Sequence, residues 1–131
     1  MINSYKLQAG LFKALAHPTR LYILEILSKG EACVCHIVAI LKKRQPYVSQ
    51  QLMLLREAGW VLDRKDGIMV YYRLADPRIA EMIALVREIL QGMGMELDLP
   101  EIPNNPVEGC SCPRCTEEEP CSTWLVQGGQ P

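Results

Sequence analysis

A mainly α chain carrying one β-hairpin is the fold class these 131 residues predict, on three observations. Apolar residues recur at helical spacing in five separate segments. A single Asp66-Gly67 pair stands between two stretches rich in β-branched and aromatic residues, a strong local signal for a two-stranded hairpin. Past Met95 the periodicity stops and proline takes over, with six of the nine prolines at 100, 103, 106, 113, 120 and 131. Residues 1–95 therefore read as one folded unit. Residues 96–131 read as an acidic, Pro- and Cys-rich flexible tail without a core of its own.

Each element has a local reason. From Tyr5 to Ala16, Leu7, Leu11, Ala14 and Leu15 make an amphipathic first helix. His17-Pro18 interrupts it, because the residue before proline disfavours helical geometry while proline suits a first turn. A second helix therefore starts near Pro18, turns Leu21, Leu24 and Leu27 inward, and ends at Gly30. His17 reads as a local hydrogen-bonding residue at the boundary rather than a ligand. Cys35 to Leu41 makes a short third helix, buried through Ile37, Val38, Ile40 and Leu41. A fourth runs from Pro46 in its first turn to Gly59 at its end, with Val48, Leu52 and Leu55 inward. Its polar face carries Gln45, Tyr47, Ser49, Gln50 and Arg56. The hairpin follows, with Arg64 and Lys65 near its tip. After Asp76-Pro77, Ile79, Met82, Ile83, Val86 and Ile89/Leu90 stripe a fifth helix, as a core face or a partner helix requires.

The formal charge of −1 hides an asymmetry. Residues 1–97 hold 13 Lys/Arg against 9 Asp/Glu, a net of +4, whereas residues 98–131 have a net of −5. A basic body with an acidic tail suits an anionic partner for the body. No apolar run reaches the roughly 18 residues of a membrane span. The N-terminus lacks the pattern of a secretory signal, so the expected compartment is the cytoplasm, with no membrane partner. Catalysis is not expected: there is no phosphate-binding glycine loop, no paired acid and base, and a CxC rather than a CxxC.

Two short helices, a basic link, a polar-faced helix and a cationic hairpin together make the pattern of a winged helix-turn-helix, which points to double-stranded DNA. A reading helix buries one face and offers amides and hydroxyls on the other, as Gln45, Tyr47, Ser49, Gln50 and Gln51 can. Lys42, Lys43, Arg44, Arg64 and Lys65 are the expected phosphate contacts, which position without reading sequence.

The six cysteines are the other chemistry. In a reducing compartment they are better explained as metal ligands or redox thiols than as disulfides. Cys33 and Cys35, one residue apart in EACVCHI at a helix start, direct two sulfurs at one ion. Two thiols leave the site incomplete, and Cys110, Cys112, Cys115 and Cys121 supply the missing donors from a segment too polar to bury them for packing. An extended chain advances roughly 3.3–3.6 Å per residue, so the tail reaches its own Cys pair or a partner's, or forms a separate site.

The chain resembles the ArsR/SmtB group of dimeric winged-helix metal-sensing repressors across about residues 9–91. The likeness lies in FKALAHPTRLYILEIL, EACVCHI, YVSQQLMLLREAGWV and DRKDGIMVYYRL. It implies a homodimer through the first and fifth helices, a reading helix holding Tyr47, Ser49, Gln50 and Gln51, and release from an operator on binding an inducer. The chain also departs from the family. Val38 stands where many arsenite sensors of that family have a third cysteine, residues 1–16 lack the thiols of its cadmium/lead sensors, and residues 76–91 lack the histidines of its fifth-helix zinc site. His36 replaces a commonly acidic residue and reads as a surface or supporting group. The expected inducer is a soft ion, As(III)/Sb(III) or Cd(II)/Pb(II)/Zn(II), with no organic cofactor. A thiol-redox-responsive repressor and a thiol-rich metal buffer or metallochaperone are the alternatives.

Overall fold

A computed structural model describes residues 3–103 and Cys110. Five helices and three short strands follow in the order α1 (Ser4–Leu15), α2 (Pro18–Ser28), β1 (Ala32–Cys33), α3 (Val34–Leu41), α4 (Gln45–Glu57), β2 (Val61–Asp66), β3 (Met69–Leu74) and α5 (Arg78–Gly92). The antiparallel sheet has the order β1-β3-β2, so the hairpin is a wing whose second strand also receives β1. All five expected helices are present, and the winged helix-turn-helix is the observed fold. Among the described residues, no helix is long and apolar enough to cross a membrane.

The boundaries follow from local chemistry. Asn3 caps α1 by accepting from the backbone N–H groups of Tyr5 and Lys6. His17 caps α2, its Nδ1 accepting from Thr19 N at 3.2 Å with Pro18 in the first turn, the local role expected of it. Gly30, Gly59 and Gly67 all take positive φ where α2, α4 and the first wing strand end. Lys42 is the departure: the turn between α3 and α4 is made by a lysine at φ 55°, ψ 39°.

The core gathers Ile23, Leu24, Ile37, Val48, Leu52, Leu55 and Val61, none of them exposed to solvent. Burying such a side chain stabilises by roughly 1.5–3 kcal/mol, so α2, α3, α4 and the wing base hold one another. Leu21 corrects the expected inward face of α2. It is 42% exposed, because the core side of that helix is set by Ile23, Leu24, Ile26 and Leu27. Helices α1 and α5 are peripheral, with Leu15 and Ile79 their only buried residues. The strand β1 was not expected, since two residues carry no periodicity.

Hydrogen bonds from Trp60 and Arg20 tie the periphery to the centre. Trp60 Nε1 donates to the Leu11 carbonyl at 3.2 Å. Arg20 donates to the Ala14 carbonyl at 3.0 Å and to Gln51 Oε1 at 2.8 Å, joining α1, α2 and α4. The chain beyond α5 returns across the body: Ile102 packs against the core, and Leu97 and Leu99 line a groove with α1, α2 and α5.

Candidate metal centre and nucleic-acid interface

The sulfur site is built where β1 runs into α3. Cys33 ends the strand and caps the helix, its Sγ accepting from His36 N at 3.4 Å. That position sets the sulfur against the positive end of an eight-residue helix. Cys35 follows in the first turn, with its Sγ 2.9 Å from that of Cys33. Cys110 approaches from the far end of the chain, 3.6 Å from Cys35 Sγ. The three sulfurs all lie within 4.8 Å of one another.

Sulfur bonds to zinc are about 2.3 Å long, so thiolates sharing such an ion lie within roughly 4.6 Å of each other. Three soft donors at this separation fit one thiophilic ion, and the third comes from the same chain as the pair. Cys33 and Cys110 are buried and pack with Tyr71 in a small cluster of their own, flanked by Ala39, Ile40 and Met69. His36 is buried rather than at the surface, and its ring is not part of the three-ligand group. Cys112, Cys115 and Cys121, also expected as ligands, lie outside the described residues.

The residues expected to face DNA divide by environment. Lys42, Lys43, Arg44, Gln45 and Gln50 are exposed along the α3–α4 turn and the outer side of α4, and Lys65 is exposed on β2. Ser49 is half-buried. Tyr47 is half-buried too, and its hydroxyl donates to Thr19 Oγ1 at 3.2 Å. Gln51 departs from the expected outward face: it is 6% exposed and its side chain accepts from Arg20. It lies three residues after Val48 and beside Leu52, on the inward stripe of α4.

Arg64 also differs from the expected open phosphate contact. Its Nε and Nη2 grip both oxygens of Glu31, at 2.9 and 2.6 Å. Its guanidinium lies 4.7 Å above the ring of Tyr71. The hydrogen bond to Glu31 raises its pKa, partly opposed by burial, and the charge of Glu31 adds to the rise. Arg56 at the end of α4 pairs with Asp63 on β2 at 2.9 Å, fastening the reading helix to the wing. Sequence reasoning had assigned no role to Glu31, Tyr71 or Arg20. Glu31 and Arg64 are 33 residues apart, and no spacing rule links them.

A winged helix-turn-helix with an exposed basic turn and a three-thiol corner at the base of α3 defines a DNA-binding regulator with a place for a soft ligand. Residues 17–61 match the family model described as "Bacterial regulatory protein, arsR family". The chain is 44% identical over 89 residues to an HTH-type transcriptional regulator of Methanocaldococcus jannaschii, covering 67% of this chain and 100% of the relative. It is 51% identical over 73 residues to the arsenical resistance operon repressor of Escherichia coli K12, covering 55% of this chain and 62% of that protein. Among solved structures, the homodimeric winged helix-turn-helix DNA-binding domain of a possible ArsR-family regulator from Mycobacterium bovis superposes with a TM-score of 0.65 at 30% identity, covering 74% of this chain and 90% of that one. The chain belongs to the ArsR family of helix-turn-helix transcriptional regulators, which makes it a regulator and not an enzyme.

Proposed function

We propose that this protein is a transcriptional repressor that leaves its operator when Cys33, Cys35 and Cys110 close on As(III) or Sb(III). The observation that carries the reading is the triangle of three sulfurs within 4.8 Å, assembled without a cysteine at Val38. Three sulfurs suit a pyramidal metalloid better than a four-coordinate Cd(II) or Zn(II). The 51% identical arsenical resistance operon repressor supports the same class of inducer. The reaction needs no oxidant: arsenite exchanges three hydroxyls for three thiols, forming three As–S bonds and releasing three waters.

In the bound state Gln45, Tyr47, Ser49 and Gln50 face base edges, and Lys42, Lys43, Arg44 and Lys65 meet phosphates. The working unit is a homodimer through α1 and α5. Its support is the apolar face those helices leave open: Phe12, Leu21, Val86 and Leu90 line a groove of about 480 Å³, beside the Glu25–Arg87 ion pair. Residues 1–95 form the DNA-binding and dimerisation unit, and 96–131 are the sensing extension.

X-ray absorption at the arsenic edge on the arsenite-loaded full chain tests the donor set. Three As–S bonds are expected, with operator release at one arsenic per subunit. The operator duplex is the one the wild-type protein selects from a randomised pool. Release by cadmium through a four-sulfur sphere, with no response to arsenite, overturns the metalloid reading. Release by peroxide with no metal or metalloid present would transfer the site to redox sensing.

A further inference from the structure

The sulfur corner and the wing are two parts of one sheet. Cys33 pairs with Tyr71 across β1 and β3, and Tyr71 pairs in turn with Arg64 across β3 and β2. Tyr71 is 1% exposed and packs with Cys33 and Cys110, while the guanidinium of Arg64 lies over its ring. Glu31, two residues before Cys33, closes the circuit by holding Arg64 through two hydrogen bonds, with only 6% of its side chain exposed. The path from sulfur to wing is therefore continuous and short, through backbone register on one side and a charge-assisted fork on the other.

Loading the site moves one end of this path. The sulfurs of Cys33 and Cys35 stand 2.9 Å apart. Two thiolates sharing one ion at bond lengths of about 2.3 Å sit roughly 3.3–3.8 Å apart. Cys35 lies in the first turn of α3 while Cys33 ends β1, so spreading the pair displaces β1 and Glu31 relative to that helix.

We propose that Glu31, Arg64 and Tyr71 are positioning residues that transmit ligation at Cys33 to the wing, and that Arg64 stays on Glu31 instead of contacting DNA phosphate. This rests on the metalloid reading of the thiol site. The sheet register already sets the ligand-free wing where Lys65 reaches DNA, and the Glu31–Arg64 fork passes on to it the displacement that ligation causes. A bidentate guanidinium fork suits the role because it fixes direction as well as charge.

The test uses the full-length protein, arsenite and the selected operator duplex. In wild type, arsenite is expected to weaken operator binding by a factor within the usual coupling range of about 5–150. Glu31→Gln and Arg64→Gln are each expected to bind arsenite with unchanged affinity in the absence of DNA, yet to cut that release factor at least about fivefold. The double variant should lose no more than either single one, as two members of one linkage do. Arg64→Lys keeps the charge but not the fork and should fail to restore release. Ligand-free Arg64→Gln should keep the wild-type salt dependence of operator binding, whereas a lost phosphate contact lowers that slope by about 0.9.

Release of Glu31→Gln by the wild-type factor, or a lowered salt slope in Arg64→Gln, overturns the link while leaving the thiol site standing. A wild type that arsenite does not release overturns the site reading first and the link with it. Should Glu31→Gln fail to fold, Arg64→Gln carries the same test from a side chain that is 41% exposed.

Discussion

Helices α4 and α5 carry apolar stripes of similar spacing, yet the chain treats them oppositely. In α4, Val48, Leu52 and Leu55 are completely buried against α2, α3 and the wing base. In α5 only Ile79 is buried, while Val86 and Ile89 remain 50% and 54% exposed. Helical periodicity therefore reports that a face is to be covered, and not what covers it. The stripe of α4 holds the reading head together within one subunit. The stripe of α5, together with Leu7, Leu11 and Phe12 of α1, stays exposed, and it is the face proposed above for a second copy. The sulfur corner resembles the first pattern, since Cys33 and Cys110 are buried together with Tyr71.

The largest effect should separate the two stripes. Leu52→Ala is expected to cost about 2–5 kcal/mol of unfolding free energy, as large-to-small changes in a packed core do. Ile89→Ala should change subunit stability by less than about 0.5 kcal/mol, the usual size at an exposed site. Val86→Glu should instead shift sedimentation from dimer to monomer. Equal unfolding losses for Leu52→Ala and Ile89→Ala would mean that α5 is already covered within one chain.

The outward face of α4 sharpens the contrast. Gln50→Ala should weaken binding to the selected duplex by about 1–3 kcal/mol and barely affect a scrambled one, the signature of a base-edge contact. Equal losses on both would place Gln50 among the phosphate contacts. Gln51→Ala should instead lower thermal stability, because its side chain accepts from Arg20 inside the fold.

A smaller effect is expected at the turn leading into α4. Lys42 holds a left-handed conformation that costs an ordinary residue roughly 1 kcal/mol. Lys42→Gly should raise the unfolding free energy by about that amount, while lowering the salt slope of DNA binding by about 0.9. The smallest effect lies at the start of α5. Asp76 accepts from the backbone N–H and the guanidinium of Arg78, and chiefly that side-chain bond holds its carboxyl down at about 2. A folded value below the unfolded one gives stability that is present above the ordinary carboxylate range and lost as pH falls through about 2. The melting temperature of Asp76→Asn should therefore fall less steeply with acid than that of wild type.

Much of this architecture was legible from residues alone, for reasons the same comparison exposes. Five helices and the hairpin follow from spacing, proline and glycine, because each is a local decision. The inward turn of Gln51 was also available, since positions 48, 51, 52 and 55 share one side of a helix. The wrong expectation came from chemistry outranking position. Strand β1, the Glu31 clamp and the partnership of Cys33 with Tyr71 were not legible, being long-range contacts made by single residues. Cys110 falls between these cases: its chemistry pointed to the Cys pair, but tail length alone fixed no position for it, and only the fold sets its sulfur 3.6 Å from that of Cys35.

The most direct test of the account is operator binding by full-length wild type and Cys110→Ser across an arsenite titration. Wild type is expected to dissociate as arsenic reaches one per subunit, while Cys110→Ser, folded and with unaltered DNA affinity, stays bound through that range. Dissociation of Cys110→Ser at the same arsenite concentration would contradict it.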